Sequence, residues 1–512
     1  MAKINVANLT FGYEGSYDTI FENVSFTLDS DWKLGLIGRN GTGKSTFLNL
    51  LLGKYTYQGV ISSSDCFEYF PYKIEDKTKM TVDVIEIISP DYELWKVIME
   101  LEQLEVDAEV LYRPFDTLSF GEQTKVMLAV LFSRENYFLL VDEPTNHLDM
   151  PTREVIKRYL QSKKGFILVS HDRDLLDACV DHILAINRNT IEVQKGNFSS
   201  WWENKQRQDA YELSENDRLK KEIGKLEAAA ERTARWAEKV ESTKIGFDPK
   251  KEHDRFIDSR AYIGEKSRRM QKRRKGLEQR QQNAIEEKEG LLKNIEKKVD
   301  LKIMPMKHHK ESYVRFQDVE IGYGETCVIK GLSFELKRGE RLVIQGMNGC
   351  GKSSVIKAIL QHENTILLNG QKEEIVPKNL YVQGDIEIAK GLKVSYINQD
   401  TTKLKGRLEA FIEHTGAEES LFKAILRQLD FERVQFDKNM EEYSEGQKKK
   451  VLIASSLLTQ AHLYIWDEPL NYIDVFSRMQ IEELLKSYEL TMLLIEHDKK
   501  FCEKVGSRKI LI

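Results

Sequence analysis

Long apolar runs are missing from this 512-residue chain, and the mean hydropathy is −0.47. A membrane-spanning helix is therefore not expected. The opening stretch, Met1 to Thr10, has no charged-then-apolar leader pattern and reads directly as a strand over Lys3–Phe11. Cysteine is scarce too: Cys66, Cys179, Cys327, Cys350 and Cys502 are five in number, scattered, and never spaced C-x-x-C. That argues against a disulfide framework and a zinc site, and fits a reducing cytoplasmic setting. Net charge is only −5, so nothing about the whole chain attracts a polyanion. The local run KSRRMQKRRK (Lys266–Lys275) is the exception, suited either to a polyanionic partner or to a solvated helix face.

What the sequence does contain, it contains twice. GLIGRNGTGKST (Gly35–Thr46) recurs as VIQGMNGCGKSS (Val343–Ser354), LLVDEPTNHLD (Leu139–Asp149) as YIWDEPLNYID (Tyr464–Asp474), and VSHD (Val169–Asp172) as IEHD (Ile495–Asp498). The order is the same in both halves. The second copy is longer between its first motif and the strand expected at Lys393–Asn398, and the extra residues are assigned to Gln361–Lys390. Short apolar strands such as Lys33–Ile37, Tyr137–Val141 and Phe166–Val169 alternate with amphipathic stretches such as Ser45–Leu52 and Glu122–Phe132. Strands apolar on both faces indicate a largely parallel sheet, so each copy is expected to be an α/β P-loop domain.

The repeated motifs carry phosphate chemistry. In G-x-x-x-x-G-K-[ST] between a strand and a helix, Gly38, Gly41 and Gly43 let backbone N–H groups face a phosphate at the helix N-terminus. Lys44 adds a positive charge for the β- and γ-phosphates, and Ser45 a hydroxyl ligand for Mg²⁺. Gly346, Gly349, Gly351, Lys352 and Ser353 repeat the arrangement. Asp142 and Asp467 stand at strand exits, where a carboxylate can hold Mg²⁺, and Glu143 and Glu468 follow as candidates to orient the attacking water. His171 and His497, each after a short strand and before an aspartate, read as γ-phosphate sensors because both halves place them alike.

LSFGEQ (Leu118–Gln123) and YSEGQ (Tyr443–Gln447), just upstream of the acidic strands, resemble the signature motif of ABC ATPases. The resemblance implies two ABC nucleotide-binding domains in tandem that hydrolyse ATP sandwiched between them. One site would join Gly38, Arg39, Asn40, Gly41, Thr42, Gly43, Lys44, Ser45 and Thr46 to Ser444 and Gly446. The other would join Gly346, Met347, Asn348, Gly349, Cys350, Gly351, Lys352, Ser353 and Ser354 to Ser119 and Gly121. It also implies Tyr13 and Tyr323 as adenine-stacking rings, and Gln399 as a magnesium ligand beside Ser45, Asp142, Ser353 and Asp467. In the first copy Tyr72 stands where the family has that glutamine, which is expected to weaken magnesium or water coordination there.

Domain boundaries are expected at 1–202, 203–305 and 306–512, the middle segment carrying no cassette motif. In it, Leu219, Ile223, Leu226, Ala230, Thr233, Ala237 and Val240 recur at steps of four and three, and Met270, Leu277, Ala284 and Leu291 at steps of seven. Both patterns suit a long antiparallel helical hairpin, with Gly246 and Pro249 marking a turn over 243–260. An arm of about forty helical residues would reach roughly 60 Å. Near the turn, Lys244, Phe247, Lys250, Lys251, Arg255, Phe256, Arg268, Arg269, Lys272 and Arg273 mix cations with aromatics. That mixture serves phosphate contact and base stacking, and serves a soluble coiled-coil spacer equally well.

Two cassettes in one chain, DEPTNHLD in the first, no membrane segment and a basic helical linker resemble the ABC-F proteins, which act on ribosomes. The long linker is similar to that of the Lsa- and Vga-type resistance members, and the opening KINVANLTFGYEGSYDTIFENVSF looks closest to the Lsa type. This resemblance implies a cytoplasmic monomer with intramolecular cassette pairing and no transmembrane subunit. Its partners would be 23S rRNA and P-site tRNA. With ATP bound it would enter the ribosomal exit site, the linker reaching the peptidyl-transferase centre against lincosamide, streptogramin A and pleuromutilin drugs. The alternative is a housekeeping ABC-F factor that relieves stalled ribosomes. A transporter ATPase subunit is disfavoured by the linker, and a DNA-repair ABC ATPase by the lack of zinc-ligand cysteine clusters.

Overall fold

Alternating burial shapes the first strand, β1 (Lys3–Gly12): Ile4, Val6, Leu9 and Phe11 point into the core while Lys3 and Asn5 face out. The alternation slips between Val6 and Leu9, where Asn8 takes a φ of 50° and the pairing with the next strand shifts register. In this computed structural model, which describes residues 3–13, 19–146, 148–187, 190–242, 305–368 and 372–512, that strand opens a cassette that is built twice.

Cassette 1 continues with β2 (Thr19–Asp29), β3 (Lys33–Gly38), β4 (Gln58–Ser62), β5 (Cys66–Phe70), β6 (Tyr137–Asp142), β7 (Phe166–Val169), β8 (His182–Asn187) and β9 (Thr190–Lys195). Strands β2-β1-β4 make an antiparallel sheet, and β5-β6-β7-β3-β8-β9 a second sheet that is parallel except at its β9 edge. Every residue of β7 is buried, as the continuous apolar run requires of a strand covered on both faces. Between the two sheets lie Phe21, Phe47, Leu34, Leu36, Leu140 and Ile167, with Phe47 supplied by the helix Lys44–Leu51.

Cassette 2 repeats the plan with β10 (Ser312–Tyr323), β11 (Thr326–Lys337), β12 (Arg341–Gln345), β13 (Thr365–Leu367), β14 (Leu380–Ile388), β15 (Leu392–Ile397), β16 (Leu463–Asp467), β17 (Met492–Ile495) and β18 (Arg508–Leu511). Its sheets run β11-β10-β14 and β13-β15-β16-β17-β12-β18. The longer connection after the P-loop helix Lys352–Gln361 adds β13 as an edge strand beside β15. Contacts group both cassettes, Met1–Trp201 with Val299–Ile512, as one unit and Trp202–Lys298 as another. The helix Phe198–Ser242 leads out of cassette 1; the expected turn over 243–260 and the returning helix lie outside the described residues. Among the described residues, no helix is long and apolar enough to cross a membrane.

The cassettes meet along a seam with buried charge. Arg173, 2% exposed, donates from Nη1 to Glu482 Oε2 at 3.1 Å and from Nη2 to Glu482 Oε1, with Asp498 at 3.9 Å. Arg478, on the same cassette as Glu482, donates to Asp498 at 3.1 Å. Lys500 of cassette 2 pairs with Asp177 of cassette 1. Burying such ions costs desolvation, so removing one partner is far more damaging than replacing both.

Arg173→Met should therefore lower the unfolding free energy of the paired cassettes by about 3–5 kcal/mol, whereas Arg173→Met with Glu482→Leu should recover most of that loss. Urea unfolding of the two variants beside the parent checks this; equal stability of the single and double variants would show that the pair does not bridge the cassettes.

Candidate functional site

Both P-loops turn on the same backbone device. Gly43 and Gly351 precede their helices at φ 97° and 102°, a left-handed conformation that side chains resist. A Cβ on Gly43 would meet Ile20 at 2.6 Å, so the position is closed to larger residues on steric grounds as well. The lysines that follow bend back over their loops. Lys44 Nζ donates to Gly38 O at 2.7 Å and Arg39 O at 3.1 Å, and Lys352 Nζ to Gly346 O at 3.0 Å and Met347 O at 2.8 Å. Burial pulls the Lys44 pKa down, partly offset by Asp474, Glu143 and Asp142. Tyr13 and Tyr323 stand beside the loops in matching poses, their hydroxyls 2.9 Å from Thr46 Oγ1 and Ser354 Oγ.

At the strand exits the acidic pairs are held in a strained conformation. Glu143 and Glu468 have φ of 49° and 48°, and their amides donate to Val169 O and Ile495 O at 2.9 Å. Holding a non-glycine residue there requires surrounding structure to compensate, as often happens at functional sites. His171 Nε2 lies 3.4 Å from Glu143 Oε1, and His497 Nε2 lies 3.5 Å from Glu468 Oε1. Glu143 Oε1 is buried and has no hydrogen-bond partner among the described residues, which is uncommon for a buried polar atom. Burial, reinforced by Asp142, pushes the Glu143 carboxyl up to about 8; burial also draws His171 well below the usual imidazole range. At Glu468 burial is outweighed by the adjacent His497, and the carboxyl is lowered.

The aspartates before these glutamates are fixed by different groups. Gln399 Nε2 donates to Asp467 Oδ1 at 3.2 Å, and the Ser353 hydroxyl also bonds to that carboxyl, which burial raises to about 6. A carboxylate, a hydroxyl and an amide oxygen form a hard-oxygen set that fits Mg²⁺. In cassette 1 the Tyr69 hydroxyl donates to Asp142 Oδ2 at 3.0 Å, and Ser45 sits exposed at the start of the P-loop helix. Tyr72, which stands at the position of Gln399, turns its buried hydroxyl toward Glu68 and Arg134. Among the described residues no glutamine amide stands at Asp142, and Tyr72 does not replace it there. The parallel register Tyr69↔Leu140 lets the longer phenol reach Asp142 from within the strand, a contact the motif spacing did not reveal.

The signature segments start helices. Ser119 caps Phe120–Phe132 and Ser444 caps Glu445–Leu458, each through a reciprocal capping box with Glu122 or Gln447. Gly446 abuts the opposite P-loop: a Cβ there would meet Asn40 Nδ2 at 3.2 Å, and that same amide donates to Tyr472 O at 3.2 Å. Arg39 pairs with Asp430 of cassette 2 at 2.6 Å. On the other side, Asp149 accepts from Thr152 N at 3.1 Å to cap its own helix and from Asn348 N of the second P-loop at 3.2 Å. Gly121 packs on Thr152. Asp474 is the counterpart of Asp149: it caps Val475–Lys486, accepts from Lys450 Nζ at 3.2 Å and acts electrostatically on Lys44 and His171. Burial works against the Asp474 carboxylate, yet Lys450 and the Ser477 amide hold its pKa well below the usual range. Each P-loop thus touches residues of the other cassette. The linker contacts named from the sequence, Lys244 through Arg273, lie outside the described residues.

Comparison with known proteins agrees with this geometry. The family described as ABC transporter matches residues 21–146 and 329–471. The chain is 27% identical over 511 residues to the ribosome protection protein VmlR of Bacillus subtilis, covering 98% of this chain and 85% of that protein. It is 27% identical to the probable ATP-binding protein YheS of Escherichia coli K12, with coverages of 94% and 74%, and 23% identical to ABC transporter F family member 5 of Arabidopsis thaliana, with coverages of 99% and 74%. Among solved structures, archaeal ABCE1 in complex with the ribosomal stalk protein aP1 shares the fold at a TM-score of 0.61 and 20% identity, covering 98% of this chain and 87% of that one.

The two tyrosines give opposite expectations. Tyr69→Phe removes a hydrogen bond to a charged group, a loss of about 1.5–3 kcal/mol. In the Glu468→Gln background it should raise the Mg²⁺ concentration needed for ATP hydrolysis by about tenfold or more, while Tyr72→Phe leaves it unchanged. A magnesium titration of both variants checks this, and a larger effect from Tyr72→Phe would reverse the assignment.

Proposed function

From the premise that the chain belongs to the ABC transporter family, we propose that it is a ribosome-protecting ATPase whose paired cassettes clamp on ATP binding. It is an ABC-F family ATP-binding protein and an ATPase. The observation that carries the clamp is the seam, where Asn40 meets Tyr472 and Gly446 while Asp149 meets Asn348. Both partners of each contact belong to one chain, so no second subunit is needed to complete a site. We assign the cassettes to 1–202 and 306–512 and the linker to 203–305.

In the proposed mechanism, Lys44 and Lys352 swing from their loop carbonyls to the phosphates, and the signature serines Ser119 and Ser444 with Gly121 and Gly446 bind from across the seam. Mg²⁺, held by Ser45 and Asp142 or by Ser353, Gln399 and Asp467, would neutralise charge on the β- and γ-oxygens. Glu143 and Glu468 orient the water, and His171 and His497 hold those carboxylates and the γ-phosphate in register. Tyr13 and Tyr323 stack on adenine. Hydrolysis removes the γ-phosphate that joins the two faces, and the clamp opens.

The ribosome as target is supported by the relative named for ribosome protection, which aligns along nearly the whole chain, linker included. In this reading the protein is cytoplasmic and works without a transmembrane subunit. It enters the exit site, and the basic and aromatic residues around 244–273 approach P-site tRNA and 23S rRNA near the peptidyl-transferase centre. Lincosamides, streptogramin A and pleuromutilins are the drugs opposed there. The finer placement with the Lsa type rests on the opening KINVANLTFGYEGSYDTIFENVSF.

Changing Glu143 and Glu468 together to Gln should leave binding intact and stop turnover, so this variant should co-sediment with ribosomes in ATP. Removal of residues 243–260 should keep that binding but abolish the rise in lincomycin or tiamulin resistance given by the intact chain in a sensitive bacterium. No rise with the intact chain would overturn drug protection. A stalling defect on deletion of the gene, with unchanged drug sensitivity, would replace it with the housekeeping role.

A further inference from the structure

The second signature helix, Glu445–Leu458, differs from the first at two positions that bond to the segment after β15, beside Asp467 at the exit of β16. Lys449 is 2% exposed, and its Nζ donates to Asn398 O at 3.0 Å. The next residue, Gln399, donates to Asp467. Two residues further on, the Thr401 hydroxyl donates to Glu445 Oε2 at 2.5 Å. Gln399 is therefore flanked on both sides by bonds to the helix whose first turn places Gly446 against Asn40 of the other P-loop.

Cassette 1 is built otherwise at the equivalent places. Phe120 stands for Glu445 and is 51% exposed, and Thr124 stands for Lys449. The Thr124 hydroxyl turns back to Phe120 O within its own helix, and Asp142 is held by Tyr69 from β5.

We propose that Lys449 and Glu445 are positioning residues that couple the two nucleotide sites through cassette 2. The link rests on the assignment of the two ATP sites above. A nucleotide on Lys352 sets Gln399 through Asp467; Gln399 cannot shift without residues 398–401, and these carry the signature helix. The ammonium of Lys449 is surrounded by Asp467, Glu468, Glu496 and Glu445, so it cannot withdraw without leaving buried charge uncompensated. A helix moves as a rigid rod, and Ser444 and Gly446 at its N-terminus transmit the shift to the nucleotide on Lys44. By linkage the effect is reciprocal in binding. A second route around the seam, through cassette 1, must use different contacts, because Phe120 and Thr124 stand at the matching positions of the first signature helix.

The test uses the full chain with Glu143→Gln and Glu468→Gln, so that binding is read without turnover. The affinity of the Lys44 site for a fluorescent ATP analogue is measured with the other site intact or disabled by Lys352→Ala. In this parent, Lys352→Ala should weaken the Lys44 site by about fivefold or more. With Lys449→Thr added, disabling Lys352 should have almost no effect, and Lys449→Arg should restore the coupling. Thr401→Val, which disturbs no charge, should reduce coupling in part and covers the case in which Lys449→Thr folds poorly. The link is overturned by an undiminished effect of Lys352→Ala in both Lys449→Thr and Thr401→Val, by no effect in the parent, or by Lys449→Thr weakening the Lys44 site equally with and without Lys352. If neither Lys44→Ala nor Lys352→Ala lowers nucleotide binding, the site assignment itself falls, which is a separate result from loss of coupling alone.

Discussion

Two helix-capping aspartates, Asp149 and Asp474, are the points on which the molecule's working geometry depends. Asp149 caps its own helix with one oxygen and accepts from the second P-loop with the other. Both oxygens of Asp474 bond to Ser477 in its own helix, and its charge acts on Lys44 and His171 of the other cassette. A capping carboxylate is fixed by short bonds to backbone N–H groups at the positive end of a helix, so its position is set by main chain. Anything it touches across the seam is placed with the same precision. For Asp149 that is the amide of Asn348 in the second P-loop, and for Asp474 it is the field at Lys44 and His171.

The duplicated plan does not make the two sites identical. Asp142 is steadied by a phenol from its neighbouring strand, and Asp467 by a glutamine, a serine and, at one remove, a lysine from the signature helix. The seam is also uneven. Arg39 pairs with Asp430 on one side, while Met347 occupies the matching P-loop position on the other and cannot form such a pair. Arg173 and Glu482 place a buried ion pair between the cassettes in one orientation only. The two nucleotide sites are therefore chemically unlike, although the motifs that build them repeat.

Much of the cassette architecture was legible in the residues. The strands at 33–37, 137–141 and 166–169 appear within a residue or so of their expected limits, because a central strand covered on both faces must be continuously apolar. The P-loop, the acidic strand exits and the histidines could be paired between halves because each is a contiguous local pattern. What motif spacing left unread was the neighbourhood of Asp142. Motif alignment places Tyr72 opposite Gln399, but the side chain goes to Glu68 and Arg134 and a neighbour three residues earlier takes the contact with Asp142. Alignment counts backbone positions, whereas the contact depends on which face of the strand a side chain leaves and how far it reaches.

The sequence by itself determined the duplication, the α/β class and the residues that form each P-loop and acidic strand end, since these follow from short-range periodicity and from backbone demands such as the left-handed turn at Gly43 and Gly351. Only the tertiary structure decided which groups from distant parts of the chain meet: Arg173 with Glu482, Asn40 with Tyr472, Asp149 with Asn348, Lys449 with Asn398. A buried ion pair or a shared carboxylate is selected by packing, where desolvation penalises every unpaired charge, and that selection leaves no local pattern along the chain.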